Sequence, residues 1–220
     1  MLQAKKTPFL TTSTTRLRNQ SWHRRLGNHV QSHWRLITIG VGFAFLVVVC
    51  TGGVFIYNGY KRNQGLRALQ EGVQLLQSGT AGDAAARLED AERMLPKGEA
   101  RTLTLLLLGK ALAEQQQFDA ENQIYERLLA QAGPHNYVKQ LALMKLGQNA
   151  EQADDFSRAQ ELYKEAADLE GPIQGIALLA RAGVLERADD DKTAQSLYGE
   201  FLESYADSPL ADVVQQKRDE

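Results

Sequence analysis

Apolar and polar positions divide the chain into distinct zones. Residues 36–60, LITIGVGFAFLVVVCTGGVFIYNGY, contain no charged side chain. From residue 63 onward apolar residues return every three or four positions, interrupted by short polar turns. That is the period of amphipathic helices; strands alternate every two residues. The most apolar part of the uncharged zone, Leu36 to Tyr57, is 22 residues long. As a helix rising ~1.5 Å per residue it would reach roughly 33 Å, which matches the ~30 Å hydrocarbon core of a bilayer. Trp34 stands at one edge and Tyr57 and Tyr60 at the other, where aromatic rings favour the headgroup region. The pattern predicts a transmembrane helix over 36–60 and an all-α domain over 61–220.

The helical zone repeats itself. Gly72, Gly109, Gly147 and Gly183 are separated by 37, 38 and 36 residues. Small residues recur downstream at Ala84, Ala120, Ala159 and Ala194, and larger ones at Leu88, Tyr125, Tyr163 and Tyr198. Pro96, Gly133-Pro134 and Gly171-Pro172 punctuate the ends of three units. Each unit holds two helix-length segments: 63–78 and 81–95 in the first, 137–152 and 156–169 in the third. Their connections, Ser78 to Gly82 and Ala153-Asp154-Asp155, carry helix stop and restart residues. A unit of this size cannot bury its apolar stripe alone, so stacked neighbours must complete the core.

This pattern resembles the tetratricopeptide repeat family. Gly147, Phe156, Ala159, Tyr163 and Ala166 fit the family's pattern in the third unit, and Gly72, Ala84, Leu88, Ala91 and Pro96 fit it in the first. Gly109, Phe118 and Tyr125 fit in the second, with Glu121 in the place of the alanine. The fourth unit keeps Gly183, Ala194 and Tyr198, while Asp189 to Lys192 replaces the aromatic at the turn. The resemblance covers about 63–205 and implies an α-solenoid of about four helix pairs. A polar-faced helix over 209–220 is expected to cap it. In this family the first helix of each pair lines a concave groove. The resemblance therefore points to Leu69, Val73, Leu106, Lys110, Met144, Lys145, Gln148, Arg181 and Val184 as the peptide-binding surface. Several of these apolar residues would alternatively pack inside the solenoid. The paired Asn and Lys pattern of arrays that clamp a C-terminal carboxylate is missing, so that specificity is not implied.

Charge sharpens the picture. Residues 1–35 carry seven Lys and Arg and no acid, whereas all 27 acidic residues lie beyond, against 18 basic ones. A basic cytoplasmic leader, retained by the positive-inside bias, would send the acidic domain to the exported side. The same leader, rich in Arg, Ser and Thr, is also the composition of a mitochondrial transit peptide, which would place the protein in the mitochondrial inner membrane. Trp22, Leu26, Val30 and Trp34 recur every four residues beside Arg24, Arg25 and Arg35, the signature of a short helix lying on an anionic leaflet. Cys50, the single cysteine, excludes an intramolecular disulfide and a cysteine-rich zinc site.

Candidate chemistry is sparse. Asp154-Asp155 and Asp189-Asp190-Asp191 fall at inter-helix turns, where Asp serves as cap and turn former. His23, His29 and His33 belong to the amphipathic leader, and His135 to a loop. No nucleotide-binding, nucleophile-elbow or metalloprotease motif occurs. The expectation is no enzyme, cofactor, metal, nucleic acid or small-molecule substrate, with other proteins and the bilayer as partners. One N-terminal span followed by a repeat domain is similar in layout to the family of ancillary subunits of the bacterial SecYEG translocon. By analogy of layout, that implies a periplasmic, inner-membrane adaptor or chaperone-like protein for exported chains. The alternative is an assembly subunit of an envelope complex, respiratory or for cytochrome maturation, whose span packs through Gly40 and Ala44.

Overall fold

The computed structural model describes the backbone of residues 16–133 and 135–219, with side chains at 34, 36 and from 38 onward in that range. The leader's basic side chains, its amphipathic row through Val30, His23, His29, His33 and Pro134 lie outside the described residues. Among the described residues there is no strand. The helices are α1 (Arg16–Gln77), α2 (Ala81–Met94), α3 (Glu99–Glu114), α4 (Phe118–Gln131), α5 (Asn136–Gln152), α6 (Phe156–Asp168), α7 (Gln174–Arg187), α8 (Asp191–Ser204) and α9 (Ala211–Asp219).

The chain divides into two compact units, 1–58 and 59–220. In the first, α1 is the one helix among the described residues long and apolar enough to cross a membrane. The large apolar side chains described between Trp34 and Tyr60 are exposed rather than packed. Its hydroxyls turn back onto their own helix: Thr38 Oγ1 donates to the Trp34 carbonyl at 2.9 Å and Thr51 Oγ1 to the Val47 carbonyl at 2.8 Å. Such back-bonding leaves few polar groups facing an apolar surround.

In the second unit each helix from α2 onward packs against its successor, up to α8 on α9. Gly72 brings the end of α1 against Leu88 of α2. The result is a row of antiparallel pairs closed by α9, as the repeat pattern predicts. Close approach depends on missing side chains. A Cβ on Gly109 would stand 2.7 Å from Tyr125 Cζ, and one on Gly147 would stand 2.5 Å from Tyr163 Cε1. Tyr125 and Tyr163 are buried and fill the space between their paired helices.

The turns inside each pair are the same motif used repeatedly. Gly79, Gln116, Asp154 and Asp189 adopt positive φ of 79°, 59°, 58° and 58°. The next residue then donates its N–H to a carbonyl five positions back, as in Thr80 to Leu75 (3.0 Å), Asp155 to Ala150 (2.9 Å) and Asp190 to Leu185 (2.9 Å). This closes the helix with the left-handed cap seen where glycine or Asn/Asp is tolerated. Asp155 and Asp190 then cap the second helix, accepting from Arg158 N–H at 3.0 Å and Thr193 N–H at 3.3 Å. The two aspartate clusters are turn and cap residues.

These turns also fix the register of the fourth pair. The left-handed residue follows the close-packed small residue by seven positions at Gly72, Gly109 and Gly147. Counting back from Asp189 gives Ala182, which is fully buried. Gly183 was the expected counterpart, but a Cβ there would meet nothing within 4 Å. The final unit is thus one residue out of step with the glycine spacing.

Charged side chains lock neighbouring pairs together. Glu92 of α2 is buried and meets Arg101 of α3 at 3.1 Å and Arg127 of α4 at 3.2 Å. Glu151 of α5 accepts from Tyr163 Oη at 2.9 Å and pairs with Arg187 of α7. The guanidinium of Arg187 lies 4.7 Å from the Phe156 ring centroid. The scheme recurs at the end, where Lys217 of α9 pairs with Glu186 and donates to Tyr198 Oη at 3.3 Å.

Candidate functional site

With the register fixed, equivalent positions on the first helix of every pair form rows across the solenoid. Six residues before each close-packed small residue stand Leu66, Leu103, Leu141 and Ile176. All are apolar, yet Leu66 is 39%, Leu103 47% and Ile176 52% exposed, and Leu141 is half-buried. Three residues on, a second row runs Leu69, Leu106, Met144 and Leu179; Leu69 and Met144 are buried, the other two half-buried. A third, one residue past the small one, holds Val73, Lys110, Gln148 and Gly183. Successive rows fall within one side of a helix, because residues three, four and seven apart share a face.

The three rows contain no acidic residue, although the domain around them is acidic. Lys110 is their one cation and lies 3.7 Å from Glu114. Lys145, beside the rows, donates to Gln148 Oε1 at 3.0 Å. The surface is an apolar ladder with exposed rungs, a polar strip along one edge and no carboxylate, imidazole or thiol. Its exposed rungs offer packing surface to apolar side chains.

The expected groove residues distribute unevenly over this geometry. Val73, Leu106, Lys110 and Gln148 stand in the rows with accessible side chains. Leu69, Met144 and Val184 are buried, the last at 1% exposure, and contribute to the core. Arg181 lies elsewhere: one residue before Ala182, it is turned by about 100° from that residue toward α6 and α8, where it lines a cavity with Asp168 and Glu200. The ladder positions absent from the sequence expectation are Leu66, Leu103, Leu141, Ile176 and Leu179. Counting from Tyr125, Tyr163 and Tyr198, and not from Gly183, brings Ile176 and Leu179 into register; the exposure of Leu66, Leu103 and Leu141 is set by the neighbouring helices.

The buried groups whose titration shifts, Glu121, Tyr125 and Tyr163, stand in the packing and not on the ladder. Burial pushes the Tyr125 phenol up to about 12, with the Glu121 charge adding to the effect. Burial, then the hydrogen bond to Glu151, raises Tyr163 likewise. Both phenols therefore remain neutral at physiological pH. Burial also raises the Glu121 carboxyl, against the opposing pull of Asn149 and Lys145.

Among solved structures the chain is similar to repeat proteins of low sequence identity. The apo form of RapI matches with a TM-score of 0.57 at 7% identity, over 64% of this chain and 55% of that one. A kinesin light chain from Podosopora anserina, with nearly identical TPR-like repeats, matches with a TM-score of 0.54 at 14% identity, over 68% and 81%. A double mutant of MamA from RS-1 matches with 0.53 at 19% identity, over 67% and 79%. The fold is a tetratricopeptide-like solenoid. The chain thus spans about half of RapI and most of the other two. No protein-family model matches the sequence, and no curated protein matches it.

Proposed function

We propose that this protein is a membrane-anchored adaptor whose first-helix ladder binds apolar segments of partner proteins on the exported side of a bacterial inner membrane. The observation that carries this reading is the alignment of Leu66, Leu103, Leu141 and Ile176 in one accessible row. Fully burying a leucine or isoleucine is worth about 1.5–3 kcal/mol. Three rungs roughly half exposed therefore offer a few kcal/mol before the cost of association. The uncharged segment 36–60 supports an anchor, and the seven basic residues before it support a cytoplasmic N-terminus. Tethering would hold the ladder at high effective concentration near the membrane, which suits a translocon-associated or chaperone-like role toward exported chains.

The test is site-specific photocrosslinking in cells from positions 103 and 176, with exposed Gln123 on α4 as control. Adducts with many exported chains from the ladder alone support the adaptor. A single stoichiometric partner would instead indicate an assembly subunit of a membrane complex. Equal adducts from position 123 would sink the assignment of the face. Topology is checked separately by proteolysis of sealed vesicles. Digestion of residues 61–220 from the cytoplasmic side would contradict the orientation, and import into mitochondria would move the protein to that inner membrane.

A further inference from the structure

The cavity that receives Arg181 lies between α6, α7 and α8, on the side of α7 turned away from the ladder. Its volume is about 330 Å³, at the small end of the ~300–1,000 Å³ typical of ligand sites. Ala167, Leu178 and the Tyr205 ring supply its apolar wall; Asp168, Arg181 and Glu200 supply its charges. Tyr205 is fixed by stacking on Phe201 at 5.1 Å between centroids, and Gly175 leaves room for its ring against α7.

Arg181, Asp168 and Glu200 share this cavity, yet among the described residues none of the three makes a side-chain hydrogen bond or ion pair. Arg181 Nε is buried without a partner. Asp168 and Glu200 line the same concavity with exposed, unpaired carboxylates, while the half-buried guanidinium of Arg181 loses solvation at Nε without gaining a partner, which is costly unless something else completes it. A ligand with both signs of charge would do so. Its carboxylate would accept two N–H bonds from the planar guanidinium fork, and its ammonium would donate to Asp168 and Glu200. Its body would rest on Leu178 and Tyr205. We infer that this cavity is a binding site for a small zwitterion, an α-amino acid or short peptide, independent of the ladder.

Calorimetric titration of the full chain in detergent micelles tests this, with Ala-Ala as the probe. Expected is saturable binding that weakens about tenfold or more with N-acetyl-Ala-Ala, which lacks the ammonium, and with Ala-Ala amide, which lacks the carboxylate. Arg181→Met should cancel the preference for Ala-Ala over its amide, and Glu200→Gln should reduce that over the acetylated form. Leu103→Asp should change neither. L-alanine in parallel separates the sources: affinity equal to Ala-Ala assigns a free amino acid, weaker affinity a peptide. Absence of saturable binding, or equal binding of all three dipeptides to parent and Arg181→Met, would overturn the inference. Melting curves establish that both variants are folded, and two substitutions on different helices guard against a local packing defect.

Discussion

Alanine at Gly147 and at Gly183 should have opposite effects, although the glycine spacing assigns both to one repeat position. Exchanging glycine for alanine within a helix gains about 0.5–1 kcal/mol through backbone entropy. That gain is common to both sites, so it cancels in the comparison. At Gly147 the new Cβ would lie 2.5 Å from Tyr163 Cε1, 2.8 Å from Cδ1 and 3.0 Å from Cζ. Tyr163 is fully buried and its hydroxyl is tied to Glu151 at 2.9 Å, so the ring cannot swing aside. Overpacking of this kind costs about 1–3 kcal/mol. At Gly183 nothing lies within 4 Å of the new atom. The two variants should therefore differ by about 1–3 kcal/mol, or several degrees at ~2–4 °C per kcal/mol for a domain of this size. Gly147→Ala should melt below the parent and Gly183→Ala slightly above it. Thermal melts followed by helical circular dichroism measure both. Destabilisation of similar size at the two sites would refute the register and restore Gly183 as the packing glycine.

Other consequences follow from the junctions. Glu121 is 2% exposed and its carboxyl is held above the usual range by burial. The folded state therefore binds more protons than the unfolded one between the two pKa values, and stability falls as pH rises through that window. Glu121→Gln should raise the melting temperature at neutral pH, with the gain shrinking as pH drops into the carboxylate range; a gain independent of pH would contradict the sign. Gln140 is fully buried and donates to the Leu169 carbonyl at 2.7 Å and the Ala166 carbonyl at 3.2 Å. Gln140→Leu leaves the Ala166 and Leu169 carbonyls at the C-terminal end of α6 unsatisfied and should cost about 1–3 kcal/mol, read as a lower midpoint in urea; an unchanged midpoint would mean that water replaces the amide.

The fold was legible because its spacing is written in residues with few substitutes. Only a small side chain fits against Tyr125 or Tyr163, and only a few residue types accept the left-handed turn. The fourth pair misled because Ala182 and Gly183 are adjacent and both small, and the turn at Asp189 and the spacing to Tyr198 separate them. The ladder was less legible for a different reason. In the run Leu103 to Leu108 nearly every residue is apolar, so residue type cannot say which side is covered. Leu105 and Leu108 are 1% exposed while Leu103 is 47% exposed, a difference set by the neighbouring helices. Arg181 shows the same ambiguity for charge, since α7 is apolar on both sides of it.

Photocrosslinking from position 141 bears most directly on the ladder, performed in the parent and in Leu103→Asp with Ile176→Asp. Both substitutions fall on exposed positions and should leave the melting temperature within about 2 °C, as surface changes usually stay within ±0.5 kcal/mol. A partner bound along the row must bring its apolar side chains against two desolvated carboxylates. The adduct formed by the parent should then disappear, or fall about tenfold or more, in the folded double variant. An undiminished adduct from position 141 would show that partners do not use the row of Leu66, Leu103, Leu141 and Ile176.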